Sequence, residues 1–545
     1  MTRRRLPLLV AAAAALPFLP ALLNGFTDWD DTVFILKNPP LARFDLGWMF
    51  TTTFGGHYHP LTWLSLALDR ALWGPLPLGF HLTSVLLHAA AAALFFLIAK
   101  RLLGEEPVWP AVFAALLFAV HPLRVESVAW AIERRDVLSG FFYLLTVLLW
   151  LDGKTRPALA AYLASLLSKG TGVTLPIGLA LLDGAVLGRA LDRKWLEKLA
   201  PFAALALAFG GLGLWAQRVN GAALTLSQFP ASARAAIASY GLWFYPLKTL
   251  WPVGLIPLYP LPANPAVDDW PFWLCAAGAV AAVWGLALYG RRAPKVTAAL
   301  AFYAATVAPV LGVFRFGPQL VADRYSYLSC LPFALLGGAA LKKALADEKR
   351  RQAALAFAGA VMLVLAGLTF RQSAFWRSGE SLWTRELDIR SDVALAQHNL
   401  ADALMARGLF EAAEHRERAA LAVDPRYVHS LNGLGLALAS QGKFEAAVPE
   451  YQAAIAEWPQ YWEAYANLGM ALARLRRYDE SFKAFSKALE LNPARAELHG
   501  NYALALLSSG RRDAGLNELK VALTLNPYQP QLQRIYAMVS APRRR

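Results

Sequence analysis

The chain has 545 residues, 57% of them hydrophobic, and a formal net charge of +15, a combination that fits a polytopic membrane protein better than a soluble enzyme. Its basic residues border apolar runs and do not gather on one face of a domain, so the charge is a topology signal and argues against nucleic-acid binding. The only two cysteines, Cys275 and Cys330, each sit inside an apolar run, which argues against a disulfide framework or a thiolate metal site.

Arg3-Arg4-Arg5 precede an apolar run to about Leu23. No small-x-small cleavage site follows, so the run reads as a first span, and what comes after Asn24 lies outside the cytoplasm. Segments long enough to cross a bilayer recur at about 6–23, 80–99, 110–127, 137–151, 157–168, 172–187, 199–216, 271–289, 296–314, 326–341 and 353–370, about 11 spans. Counting the apolar stretch 232–250 as well would carry Arg291-Arg292-Lys295 to the outside. The positive-inside rule therefore makes that stretch re-entrant or interfacial, and the C-terminal tail emerges on the outer face.

The first outer loop opens with Asp28-Trp29-Asp30-Asp31. Carboxylates this near the membrane are costly to desolvate and sit where a lipid-borne substrate would present its head group. Neighbouring acids also tune one another's proton affinity for general-base work; the plain alternative is that they cap a surface helix. Later in the loop comes His57-Tyr58-His59-Pro60-Leu61-Thr62-Trp63. Its histidines, with the aspartates, are candidate ligands for a divalent metal, ranked behind local hydrogen bonding.

The second outer loop contains His121-Pro122-Leu123-Arg124-Val125-Glu126 and Glu133-Arg134-Arg135-Asp136. Arginines on the outer side need a local reason: either a lipid phosphate or pairing with Glu126, Glu133 or Asp136. Lys169, in the turn Leu167-Ser168-Lys169-Gly170, and Arg324, beside Asp323 and Tyr325, are two further off-side cations. Such cations can converge on one anion, although an ion pair with Asp323 is the alternative for Arg324; sequence neighbours pair poorly on a helix.

In the tail, Pro425, Pro459, Pro493 and Pro527 are 34 residues apart, the tetratricopeptide period, and predict four repeats. Leu400, Leu434, Leu468 and Tyr502 share one phase, and Ala420, Ala454, Ala488 and Ala522 share another, where two helices must approach closely. Asn399, Asn467 and Asn501 share a third. They resemble the asparagine ladder with which the repeats of O-linked N-acetylglucosamine transferase clamp a peptide backbone. Gly433 interrupts the ladder beside Asn432, and the alternative is a merely polar surface.

Taken together, several strings resemble those of the transmembrane-and-tetratricopeptide O-mannosyltransferases and their bacterial relatives. They are Asp30-Asp31, His59-Pro60-Leu61-Thr62-Trp63, His121-Pro122-Leu123 with Glu126 and Arg134, Ser168-Lys169 before Val173-Thr174-Leu175-Pro176, Ala322-Asp323-Arg324-Tyr325, and the junction from Phe375-Trp376-Arg377-Ser378 to Leu382-Trp383. The resemblance implies an all-α chain: a GT-C-like membrane bundle over 1–375, a junction over 376–392 and a tetratricopeptide solenoid over 393–545. It implies a multi-pass protein of the plasma (inner) membrane, with the repeats on the extracytoplasmic side. A polyprenyl-phosphate sugar would be the donor and a protein or peptide hydroxyl, held through the repeat groove, the acceptor.

By the same resemblance Asp30 or Asp31 is the base of an inverting transfer. Arg134, Lys169 and Arg324 hold the donor phosphate, and His59, His121, Glu126, Asp136 and Tyr325 support them. No metal ligand is assigned; a divalent metal stays open as a cofactor. The chain departs from the family pattern at Gly170-Thr171-Gly172, where a proline is expected beside the lysine. Two competing readings are a non-catalytic scaffold for envelope assembly and a related enzyme that glycosylates a lipid or glycan. Convergence of Asp30, Arg134, Lys169 and Arg324 on one cavity separates the enzymes from the scaffold.

Overall fold

The computed structural model describes residues 5–220, 230–262, 270–311 and 319–541. Apart from one short antiparallel pair, Tyr259–Pro260 with Gln319–Val321, the described secondary structure is helical. The chain divides into two compact units, Met1–Leu382 and Trp383–Arg545, and the division falls within the helix Gly379–Ile389.

In the first unit, five described helices are long and apolar enough to cross a bilayer: Leu6–Leu23, Pro77–Leu103, Arg193–Val219, Phe272–Arg292 and Glu348–Phe375. Two bent pairs raise the number to seven: Trp109–Ala119 with Pro122–Ala129, at 52°, and Asp323–Ser329 with Leu331–Leu345, at 58°. The larger number expected from sequence includes helices such as Arg134–Leu151 and Thr155–Ser168. Arg134–Leu151 has the length of Leu6–Leu23 but opens on three charged residues, and Thr155–Ser168, at about 21 Å, is short of a hydrocarbon core of about 30 Å.

The breaks have local causes, and they position the polar residues. Pro122 cannot donate to the preceding turn, so the helix stops at Ala119, and the His121 ring accepts the Leu123 N–H at 3.2 Å to start the next segment. The carbonyls freed at the break are taken up by His88 Nε2, 2.9 Å from Ala119 O, and by the Thr369 hydroxyl, which donates to Val120 O at 2.7 Å. Irregular backbone inside a membrane bundle survives only when such partners exist. The loop after the first helix is docked in the same way. Gly25 N–H donates to Arg377 O, the Asn24 amide donates to Ser373 O, and Trp29 stacks on Trp130 at 4.8 Å.

The second unit repeats one helix pair four times. Its first helices are Ala394–Ala406, Val428–Ser440, Trp462–Arg474 and Ala496–Ser508, and Pro530–Ser540 closes the stack. Ala420, Ala454, Ala488 and Ala522 are wholly buried, as close helix approach demands. The turn after each first helix needs a left-handed residue; Gly408, Gly442 and Gly510 supply it, and Arg476 takes the equivalent place at φ 60°. Gly433, which interrupts the asparagine series, has a packing reason: a Cβ there would lie 2.1 Å from a Glu417 carboxylate oxygen. Asn467 donates to Asn432 at 3.0 Å, and the buried Asn399 amide nitrogen has no partner.

Candidate active site

Asp30 and Asp31 are adjacent in sequence and opposite in role. Asp31 is fully buried and accepts three hydrogen bonds: from Thr27 N–H at 3.0 Å, from the Thr27 hydroxyl at 3.1 Å and from Ile132 N–H at 3.0 Å. It ties the loop after the first helix to the segment Ala131–Glu133. Burial nevertheless pushes its carboxyl up to about 7, against the pull of those bonds. Asp30 starts the turn with its backbone, its carbonyl accepting from Val33 and Phe34 N–H, while its half-buried side chain faces Arg135, Glu133 and Arg324. Burial raises its proton affinity, Arg135 and Arg324 oppose the rise, and Glu133 adds to it.

Glu133 is the hub of the cations. It accepts from Arg135 Nε at 3.0 Å and from Lys169 Nζ at 3.0 Å, and Arg324 Nε lies 3.5 Å away. Burial alone would raise this carboxyl; Arg135, Lys169 and Arg324 together hold it well below the usual carboxylate range. Lys169 also donates to Asp136 at 2.7 Å, and Asp136 accepts from the Ser127 hydroxyl at 3.1 Å. The Arg324 guanidinium pairs with Glu126, its backbone N–H donates to the same carboxylate at 2.7 Å, and it lies over the rings of Trp130 and Tyr325, at 5.6 and 5.1 Å. Asp323 does not pair with Arg324; it accepts from the Tyr259 hydroxyl at 2.9 Å.

Arg134 does not join this group. Its Nη2 pairs with Asp69 at 2.7 Å and also donates to Phe80 O, while Nε and Nη1 donate to the hydroxyls of Ser84 and Ser65, each at 2.9 Å. The next residue, Arg135, does join it. The helix begins at Arg134, and successive side chains on a helix point about 100° apart, so only one of the pair can face Glu133. His121 is likewise spent on backbone, with Nδ1 accepting from Leu123 and Nε2 at 3.0 Å from Thr249 O. Tyr325 takes part through its ring, and its hydroxyl accepts from Gln319 at 3.2 Å.

His57 and His59 border the cluster, their rings 5.9 Å apart. Burial, and then the neighbouring Arg135, pull His57 down to about 3; burial, with His57 and Arg135 behind it, pulls His59 well below the ordinary histidine value. Both rings are therefore neutral at physiological pH. His59 Nε2 is buried without a partner. Among the described residues, the side chains grouped closely enough to hold a metal ion are His398, Asp402 and Glu417 of the repeats, with ligand atoms within 4.8 Å of one another.

The structure thus brings together Asp30, Glu126, Glu133 and Asp136 with Arg135, Lys169 and Arg324. Sequence reasoning chose Arg134 over Arg135 and saw Glu133 only as a pairing partner, not as the hub. The signal available was the run of four charges Glu133-Arg134-Arg135-Asp136, of which all but Arg134 join the cluster. Guanidinium and ammonium groups have more donors than these pairs use. Chemically, the arrangement offers a half-buried carboxylate of raised proton affinity beside three cations in a site of low dielectric.

A tetratricopeptide-repeat family model matches residues 398–461, 437–496 and 466–530. A Caenorhabditis elegans protein named protein O-mannosyl-transferase F38B6.6 is 24% identical over 77% of this chain and 63% of its own length. Human protein O-mannosyl-transferase TMTC1 is 27% identical over 78% of this chain and 56% of its own, and mouse TMTC2 is 42% identical over 18% and 12%. The chain therefore spans less than two thirds of these relatives. Among solved structures, the Thermus thermophilus tetratricopeptide protein TTC0263 is 24% identical, with a TM-score of 0.28, over 32% of this chain and 94% of its own. The tetratricopeptide protein YrrB is 19% identical, with a TM-score of 0.26, over 36% and 98%. Along most of its length the chain is thus similar to proteins named O-mannosyl-transferases, and it ends in tetratricopeptide repeats, the combination that makes it TMTC-like.

Proposed function

We propose that the protein is an inverting, GT-C-type glycosyltransferase of the plasma membrane. It moves a sugar from a polyprenyl-phosphate donor to a serine or threonine hydroxyl of a protein on the outer face. The observation that carries this reading is the gathering of Arg135, Lys169 and Arg324 around Glu133, with Asp30 near enough for Arg135, Glu133 and Arg324 to act on its carboxyl. Asp30, whose side chain is not tied down as Asp31 is, removes the acceptor proton as the hydroxyl attacks the anomeric carbon from the face opposite the phosphate. The bond from that carbon to the phosphate oxygen breaks, and Arg324, Lys169 and Arg135 take up the charge that grows on the departing lipid phosphate. A phosphate leaves without being protonated, which suits a site whose acids are paired with cations.

In this reading residues 1–375 form the catalytic bundle, with eleven apolar segments as its spans, and 376–392 join it to repeats that face outward. Asn399, Asn467 and Asn501 hold the backbone of the acceptor. Arg134 and Asp31 keep the site in shape, and His59, His121, Glu126, Asp136 and Tyr325 set the positions of the groups that act.

The names of the relatives make mannose the first sugar to try. Purified protein in lipid nanodiscs, given radiolabelled polyprenyl-phosphate mannose and an envelope-protein fraction, should place label on protein in a form released by β-elimination. Label appearing on lipid or glycan, or no consumption of any polyprenyl-phosphate sugar, overturns the proposal.

A further inference from the structure

One cavity lies away from the charge cluster. It has a volume of about 320 Å³ and is enclosed by the helices Pro77–Leu103, Arg134–Leu151, Leu175–Leu181, Pro294–Val307 and Leu331–Leu345. Its wall is apolar, with Leu179, Phe302 and Leu335 among the lining side chains, and two charged residues line it: Lys295 and Lys342. Tyr143 lines it too, with a buried hydroxyl that has no hydrogen-bond partner, so the wall offers one donor to whatever enters.

Both lysines stand at helix ends remote from Arg324. Lys342 follows Arg324 by eighteen residues along the bent helix pair, a path of up to about 27 Å. Lys295 is in the first turn of Pro294–Val307, whose far end packs with Val321, close in sequence to Arg324. Lys342 donates to the last carbonyl of the helix Pro77–Leu103, at Leu103, and Lys295 has no ion-pair partner among the described residues.

We propose that this cavity binds an anionic glycerophospholipid, with an acyl chain between the helices and its phosphate at Lys295 and Lys342. A chain alone would need no lysines, and a zwitterionic head group gains little from two cations. A basic pocket between membrane helices selects acidic head groups by charge. A donor lipid whose phosphate sits at Arg324 and Lys169 cannot also bring that phosphate to the lysine end, so the occupant is a second lipid. The site stands whether or not the chain is a transferase, because retention of lipid can be read without activity.

The test uses the full-length protein reconstituted with chain-matched phosphatidylglycerol and phosphatidylcholine, extracted into mild detergent and weighed by native mass spectrometry. Wild-type protein should retain about one phosphatidylglycerol, in several-fold preference to phosphatidylcholine. The Lys295→Gln/Lys342→Gln variant should lose that preference, and Ala299→Phe, which fills the cavity, should lose both lipids. Lys295→Gln alone, at an exposed position, covers the case in which the double variant fails to fold. Equal retention of the two lipids by wild type, a preference that survives removal of Lys295, or displacement of phosphatidylglycerol by added polyprenyl phosphate would overturn the proposal.

Discussion

Charge is used in opposite ways by the two units. In the membrane unit Glu133, Arg134 and Arg324 are buried and each leans on several partners at once, while buried Glu126 is held by Arg324. In the repeats the pairs Arg418–Glu414, Arg477–Glu480 and Lys487–Glu490 lie on helix surfaces within one or two turns of each other. A buried ion whose partner is removed becomes an uncompensated charge, whereas an exposed pair exchanges its partner for water. The first unit therefore holds a pre-built electrostatic site at the cost of depending on every member. The second takes its stability mainly from apolar contacts repeated down a stack and carries most of its ion pairs on the surface, the contact of His398 with the buried Glu417 being an exception.

Arg134→Ala should give the largest loss of stability, about 3–5 kcal/mol, because Asp69 is left buried and unpaired. Thermal melting in detergent measures it, and the folded fraction should keep its donor affinity. A weakened donor affinity with unchanged melting would return Arg134 to the phosphate site and blur the contrast between structural and acting cations. Arg324→Ala should do the reverse. It should weaken donor binding by roughly 10–100-fold, the worth of hydrogen bonds to a charged group, and leave acceptor binding unchanged in separate titrations.

In the repeats the sensitive positions are apolar. Ala488→Leu forces a larger side chain into a fully buried helix contact and should cost about 1–3 kcal/mol in a chemical melt of the repeat unit's signal. The smallest effect is expected at Arg477→Ala, on a surface pair, where the melting temperature should not move. A large drop there would mean that the repeats also depend on ion pairs.

The repeats were legible in the sequence because their information is periodic. Proline spacing, alanine phase and the position of each turn all report the same 34-residue unit. Gly433 was read as a gap in a ladder, and its cause, the Glu417 side chain packed against it, lies on another helix sixteen residues away. The charged loop motifs were legible as a set of residue types in approximately the right loops. What could not be read was direction. Asp30 and Asp31 differ only in which way each side chain turns, and that is fixed by Thr27 and by the N–H of Ile132, about a hundred residues on. Arg134 and Arg135 differ in the same way, with Ser65, Ser84 and Asp69 claiming one of them. Nor does apolar composition tell a full crossing from a short buried helix: among the described residues five helices, or seven with the bent pairs, are long and apolar enough to cross.

One measurement bears most directly on the central claim that Asp30 is the acting base beside a phosphate-holding cluster. Single-turnover transfer from labelled polyprenyl-phosphate mannose is followed for wild-type and Asp30→Asn protein in nanodiscs, with donor binding measured on the same samples. Loss of a general base should slow transfer by about 10²–10⁴-fold while donor binding and melting temperature stay close to wild type. Transfer by Asp30→Asn at the wild-type rate, with binding intact, would contradict the account.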